Sequence, residues 1–169
     1  MNASVLCALL LAAALAMSVT ACWGEDAGTG RSSGGGLIEG RSDSALAGFI
    51  NVKRRGGALK LLLNVMNAAP GDHALRLHQV GDCSASDASS AGGLWIPEGT
   101  SSDGVSLAEL GNLHVDEDGR GHLATSGPYN FGDGSELDLV GHALVIHQKS
   151  SELLAQGDDD ARIGCAVIR

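Results

Sequence analysis

The sequence predicts an all-β fold, and three observations support this prediction. Beyond the N-terminal segment, apolar residues are concentrated in segments of five to nine residues, a length typical of strands. Gly, Asp, Asn and Ser separate these runs, and the chain contains 25 Gly residues. Only two Trp, one Tyr and two Phe are present. A length of 169 residues fits one domain after removal of a targeting segment.

Seven strands can be placed along the chain. In the second, the alternate residues Leu59, Leu61, Leu63 and Val65 share one face. In the third, Leu75 and Leu77 point one way, whereas Arg76 and His78 point the other. A polar loop is predicted over residues 149–160. The predicted strands cover residues 49–54, 59–66, 73–80, 113–115, 121–125, 142–148 and 163–168.

The N-terminus has the pattern of a bacterial lipoprotein signal. Residues 1–21 contain no charged side chain, and an apolar run over residues 5–19 is followed by small residues and Cys22. We expect a signal peptide at 1–21, a lipidated Cys22 with a flexible Gly- and Ser-rich tether over 22–47, and a folded domain at 48–169. Two alternatives remain open: plain secretion by cleavage after Ala21, or a retained segment.

The net charge of −9 arises entirely after Cys22. Such a charge argues against nucleic acid as a partner. We therefore expect an exported protein of the periplasm or cell envelope, attached to the membrane only through the lipid on Cys22. The sequence leaves open which membrane holds the lipid and whether the protein is a homodimer.

Two cysteines remain in the predicted domain, Cys83 and Cys165. In an oxidising compartment we expect them to form a disulfide, and two free buried thiols are the alternative.

Five blocks of sequence, in order, are similar to the Cu/Zn superoxide dismutases. LRLHQVGD at 75–82 resembles the family's FHVHEFGD, and SAGGLWIP at 90–97 resembles SAGPHFNP. ELGNL at 109–113 resembles DLGNV, GHALVIH at 141–147 resembles GRALVVH, and ARIGCAVI at 161–168 resembles ARIACGVI. The resemblance implies an eight-stranded Greek-key β-sandwich or barrel.

Active relatives hold copper with four histidines, and the resemblance can be carried over residue by residue. The first copper histidine corresponds to Arg76 and the bridging histidine to Leu94. The other two are retained as His78 and His147.

The zinc site is more degraded than the copper site. One zinc histidine aligns with Ser106, and the preceding loop over residues 98–105 contains no histidine. The zinc carboxylate persists as Glu109, and an aspartate that orients ligands of both metals corresponds to Ser151. Arg162 matches the arginine that guides superoxide, and His73 matches a structural histidine that binds no metal.

These replacements predict a catalytically inactive domain that serves as a binding or structural module. A guanidinium at position 76 places a positive charge near the copper position, and Leu94 offers no lone pair. We expect Arg76 to attract a carboxylate such as Glu109. We expect no firmly bound cofactor and no catalytic zinc, and weak copper binding is left open. The alternative is a superoxide dismutase, or a residual copper or nickel site, that uses His78 and His147. The remaining His114, His122 and His142 match no ligand position and are interpreted as surface or loop residues.

Overall fold

The computed structural model describes residues 31–97, 107–155 and 160–169. Its eight strands are β1 (Ser33–Gly40), β2 (Ala47–Arg55), β3 (Ala58–Met66), β4 (Gly71–His78), β5 (Glu109–Val115), β6 (Gly121–Gly127), β7 (Ala143–His147) and β8 (Arg162–Val167). Helical structure in these ranges is limited to a 3₁₀ turn, Ser89–Ala91, and a one-turn helix α1, Ser151–Leu154. The predicted all-β fold is confirmed, and each of the seven predicted strands overlaps an observed one.

The strands form a closed antiparallel barrel in the order β1-β2-β3-β6-β5-β4-β7-β8, and β8 pairs with β1 to close it. Pairing is shortest at two places: β1 and β8 share two register pairs, and β5 and β6 share one, Val115 with Gly121. Closure leaves no long free strand edge in the sheet.

Alternating apolar side chains fill the barrel. On β3, Leu59, Leu61, Leu63 and Val65 are all buried, as their shared face predicts. On β4, Leu75 and Leu77 are fully buried in the same cluster. Burial of each such side chain contributes about 1.5–3 kcal/mol, so this core dominates the stability of the barrel.

Strand β1 corrects the predicted tether over 22–47. Residues 34–40 pair with β2 and β8, and Ile38 is buried in the core. The prediction missed this strand because three successive glycines carry no side chain pattern. Those glycines allow close packing: a Cβ at Gly34 would meet the Phe131 ring, and one at Gly36 would meet the Val167 carbonyl. The domain therefore begins before residue 48.

The segment 149–160 is not a uniform polar loop, because it contains α1. The signal peptide, Cys22 and the 98–105 loop with Ser106 lie outside the described residues. Within the described ranges, no helix is long and apolar enough to cross a membrane.

The disulfide is confirmed. Cys83 and Cys165 are bonded, with their Cα atoms 5.8 Å apart across 82 residues of chain. Cys165 lies on β8, whereas Cys83 lies in the long loop after β4, so the bond attaches that loop to the barrel. Arg41, just after β1, adds a second attachment because its Nε donates to the Cys83 carbonyl at 2.9 Å.

Candidate functional site

His78 and His147 come together beside the β4–β7 strand pair. His78 ends β4, and His147 ends the neighbouring strand β7. Their rings lie 5.7 Å apart, centroid to centroid, and are nearly parallel. Both residues are buried, at 2% and 7% exposure. The loop held by the disulfide lies against His78, because its residue Leu94 forms an isolated bridge with His78.

The hydrogen bonds of the two rings define which nitrogen of each is free. His78 Nδ1 lies 2.9 Å from the Gly92 carbonyl oxygen, which can only accept, so Nδ1 carries the proton. His147 Nδ1 lies 2.9 Å from Asp160 Oδ2. Both Nε2 atoms are buried and have no partner among the described residues. In the neutral rings, each Nε2 therefore presents a lone pair.

Burial and positive neighbours keep both rings neutral. Desolvation lowers the pKa of His78, the Gly92 hydrogen bond opposes this, and Arg162 and Arg76 lower it further. For His147, desolvation is again the largest cause, and with His78, Arg76 and Arg162 it lowers the pKa to about 3. Asp160, whose carboxylate accepts from His147 Nδ1, has its own pKa raised by burial.

Arg76 points to the same region from β4. Its Nη2 donates to Glu109 Oε1 at 2.9 Å, which confirms the expected carboxylate partner. The two residues are also register partners of β4 and β5, next to an irregularity in that ladder. The Arg76 side chain is only 14% exposed, and its buried Nε has no partner among the described residues. A permanent positive charge is thus built into the site.

Leu94 lies beside His78, with which it forms an isolated antiparallel bridge. Its side chain is partly buried against the main core. The next residue, Trp95, is buried and stacks on His142 with ring centroids 4.2 Å apart. The position that corresponds to the bridging histidine is therefore occupied by an apolar side chain that takes part in packing.

Arg162 is fixed at the start of β8. Its Nη1 donates to the Ala88 carbonyl at 2.9 Å, which places the guanidinium under the loop that carries Gly92 and Leu94. Its charge contributes to lowering the pKa of both buried histidines. Two guanidinium groups therefore act on one histidine pair.

The residues that the resemblance assigns to the zinc side have other partners. The Glu109 carboxylate is bonded to Arg76, and Ser106 lies outside the described residues. The Ser151 N–H donates to Asn112 Oδ1, while its buried hydroxyl has no partner among the described residues. His73 is buried, and its ring nitrogens lie 3.1 Å and 2.8 Å from the carbonyls of His147 and Ala69. This position agrees with a structural role.

Sequence reasoning missed Asp160. Asp160 lies in the segment predicted as a polar loop, residues 149–160, but its side chain is only 4% exposed. Its carboxylate accepts from His147 Nδ1 and from the Lys149 N–H at 3.0 Å. The available signal in the sequence was that Asp160 stands two residues before Arg162. Its contact with His147 becomes visible only in the folded chain.

These residues do not fit a catalytic copper–zinc pair. Copper in this chemistry requires imidazoles in a fixed geometry, and here two Nε2 atoms stand beside two guanidinium groups. Among the described residues, no group of three or more His, Cys, Asp or Glu is arranged to hold a metal ion. The two unpartnered Nε2 atoms of His78 and His147 fit one soft or borderline metal ion, to which they would supply two nitrogen ligands.

The described residues thus form a closed eight-stranded antiparallel barrel with a buried histidine pair. The family description "Copper/zinc superoxide dismutase (SODC)" matches residues 46–168, and the chain belongs to this family. It is 26% identical over 146 residues to "Extracellular superoxide dismutase [Cu-Zn]" of Onchocerca volvulus, covering 76% of this chain and 72% of that protein. It is 28% identical over 150 residues to "Superoxide dismutase [Cu-Zn]" of Caulobacter vibrioides, covering 75% and 80%.

Among solved structures, the chain resembles "Crystal structure of a SOD-like protein from Bacillus subtilis". The TM-score is 0.67 at 26% identity, and the match covers 78% of this chain and 95% of that chain. The likeness agrees with the eight-stranded barrel expected from the sequence.

Proposed function

We propose that this chain is a catalytically silent superoxide dismutase-like domain that serves as a binding or structural module at the cell envelope. The observation that supports this most is the Arg76–Glu109 ion pair beside His78 and His147. It puts a fixed cation in the former copper site and occupies the one retained zinc carboxylate.

The electrostatics of the site support the same proposal. A metal ion would have to approach two guanidinium groups, whose positive charges add to burial in lowering the pKa of both histidines. The redox cycle of the family alternates the charge of copper, so it depends on a ligand set that stabilises both states. Two imidazoles and no bridging histidine leave too few donor atoms.

A superoxide dismutation assay on the copper-loaded full chain tests this proposal. We expect a rate per copper no greater than that of free copper at the same concentration. A family relative with all four copper histidines serves as the positive control under the same loading conditions. A rate well above free copper that disappears in His147→Ala would show that the chain is an enzyme.

A second candidate function is weak copper handling without turnover. Its support is the pair of buried, unpartnered Nε2 atoms on His78 and His147, because an unsatisfied buried polar atom costs about 1–3 kcal/mol unless a partner or ion satisfies it. Titration with Cu⁺ under reducing conditions distinguishes the two: one equivalent bound by the full chain, and none by His78→Ala, would favour this candidate.

The location of the protein is part of the proposal. A lipid on Cys22 would hold the domain at the membrane through a segment with few charges. Fractionation of cells that express the full chain, compared with Cys22→Ala, tests it. We expect the unchanged chain in the membrane fraction and the variant in the soluble fraction. Equal distribution of the two would remove the anchor from the proposal.

A further inference from the structure

Two other histidines, His114 on β5 and His122 on β6, lie side by side on neighbouring strands of the barrel. β5 and β6 pair Val115 with Gly121, so the next position along the ladder places His114 opposite His122. Both side chains are exposed, and both line one surface depression, together with Met66 and Asn67. Opposite residues in an antiparallel pair have Cβ atoms about 4.5–5.5 Å apart. This spacing allows two imidazoles to reach one ion.

Each of these rings is already oriented by an oxygen on its outer side. His114 Nδ1 lies 2.9 Å from Asp72 Oδ1, and His122 Nδ1 lies 3.0 Å from Asn64 Oδ1. The strand register creates both contacts, because Asp72 is the β4 partner of His114 and Asn64 is the β3 partner of His122. A carboxylate or amide oxygen only accepts, so each ring donates from Nδ1.

The free nitrogen of each ring is consequently Nε2. Among the described residues, no hydrogen bond is made to Nε2 of His114 or of His122. Histidines that bind metals usually donate their other nitrogen to a carboxylate, carbonyl or water, which fixes the tautomer. The pairs His114–Asp72 and His122–Asn64 both have a ring that donates from Nδ1 to a side-chain oxygen. The four residues lie in one row across β4, β5, β6 and β3.

The charges around the depression favour a cation. Asp116 and Asp118 line it, with Asp72 at its side, against one positive residue, Arg120. The Asp116 carboxylate holds the β5–β6 turn, since its Oδ1 accepts the N–H groups of Asp118 and Arg120. That turn keeps the two strands, and with them the two histidines, in register.

We propose that His114 and His122 form a surface site for a borderline divalent transition ion such as Ni²⁺, Cu²⁺ or Zn²⁺. Imidazole suits these ions, and water would complete the coordination. The site lies on the β3-β6-β5-β4 face, uses none of the residues that correspond to the family's metal ligands, and does not depend on the proposed function.

Equilibrium dialysis of the full chain against Ni²⁺ tests this site. We expect one equivalent bound by the unchanged chain, and loss of that equivalent in His114→Ala and in His122→Ala. Asp72→Ala removes only an orienting partner and is expected to weaken binding by about ten- to a hundredfold. Lys60→Ala, an exposed change on β3 away from the depression, is the matched control and should bind like the unchanged chain.

Carbethoxylation of histidines followed by mass spectrometry gives an independent readout. Ni²⁺ should protect His114 and His122 from modification together, while thermal unfolding confirms that the variants are folded. Ni²⁺ binding that is equal in the unchanged chain, His114→Ala and His122→Ala would overturn the proposal. Protection of neither histidine would overturn it as well.

Discussion

Arg76 and Glu109 are ion-paired at 2.9 Å across the β4–β5 ladder. In the correspondence with the family that we propose, Arg76 takes the position of a copper histidine and Glu109 that of the zinc carboxylate. The pair would then turn two coordination positions into a structural contact, because Arg76 Nη2 donates to Glu109 Oε1.

The first prediction concerns this pair. Glu109→Gln leaves the Arg76 guanidinium, 14% exposed, without its charged partner, and we expect a loss of about 1–2 kcal/mol in the free energy of unfolding. Urea denaturation measures it. The control is Glu39→Gln, since Glu39 is 67% exposed and its partner Arg41 keeps its bonds to backbone carbonyls. A loss in the control as large as in Glu109→Gln would contradict the argument.

The second prediction is a dependence of stability on pH that comes from His147. Its pKa is lowered to about 3 in the folded state from 6.5, so between these values the unfolded chain binds a proton that the folded chain does not. Stability is therefore complete above pH 6.5 and falls as the pH decreases towards 3, by about 1.4 kcal/mol per pH unit.

NMR of the histidine ring resonances from pH 8 to 5 measures the protonation of His147, on which this dependence rests. The His147 ring should keep the shifts of a neutral imidazole throughout, with Nδ1 protonated. A normal titration of that ring near pH 6.5 in the folded protein would contradict the prediction.

The third prediction concerns the disulfide. Reduction of Cys83–Cys165 releases an 82-residue constraint on the unfolded chain and is expected to cost about 4 kcal/mol. Guanidinium denaturation with and without reductant measures the change. The double variant Cys83→Ser with Cys165→Ser should match the reduced protein and be insensitive to reductant. Equal midpoints for the oxidised and reduced protein would refute it.

The fourth prediction concerns the domain boundary. A chain that begins at Gly48 lacks β1, which opens the barrel between β2 and β8 and removes Ile38 from the core. We expect it to be unfolded or aggregated, while a chain that begins at Arg31 melts cooperatively. Thermal unfolding decides, and equal midpoints would show that β1 does not hold the barrel together.

The local pattern of apolar residues was sufficient to predict part of this structure. The alternating leucines of β3 predicted a half-buried strand, because alternate residues of a strand point to the same face whatever the details of packing. For β1 the pattern failed, since Gly34 and Gly36 are selected by close backbone approach and leave no apolar signal.

The residues of the candidate site could be proposed from the sequence, but their burial and their hydrogen-bond partners could not. Aligned blocks indicate that Arg76 and Leu94 stand at ligand positions. They do not indicate that His78 and His147 are buried, which follows from a loop held by the disulfide. The Asp160–His147 contact, across 13 residues, likewise depends on how the 149–160 segment folds back.

Copper retention tests the central claim most directly. Two chains are compared, and both carry His114→Ala to remove the proposed surface site: one has no other change, and the other also carries Arg76→His and Leu94→His. Each is loaded with Cu²⁺, dialysed against chelator-free buffer, and analysed for bound metal. The account predicts that the first chain keeps far less than one copper per molecule, while the second, with four imidazoles restored, keeps about one. A stoichiometric copper retained by the first chain would contradict the account.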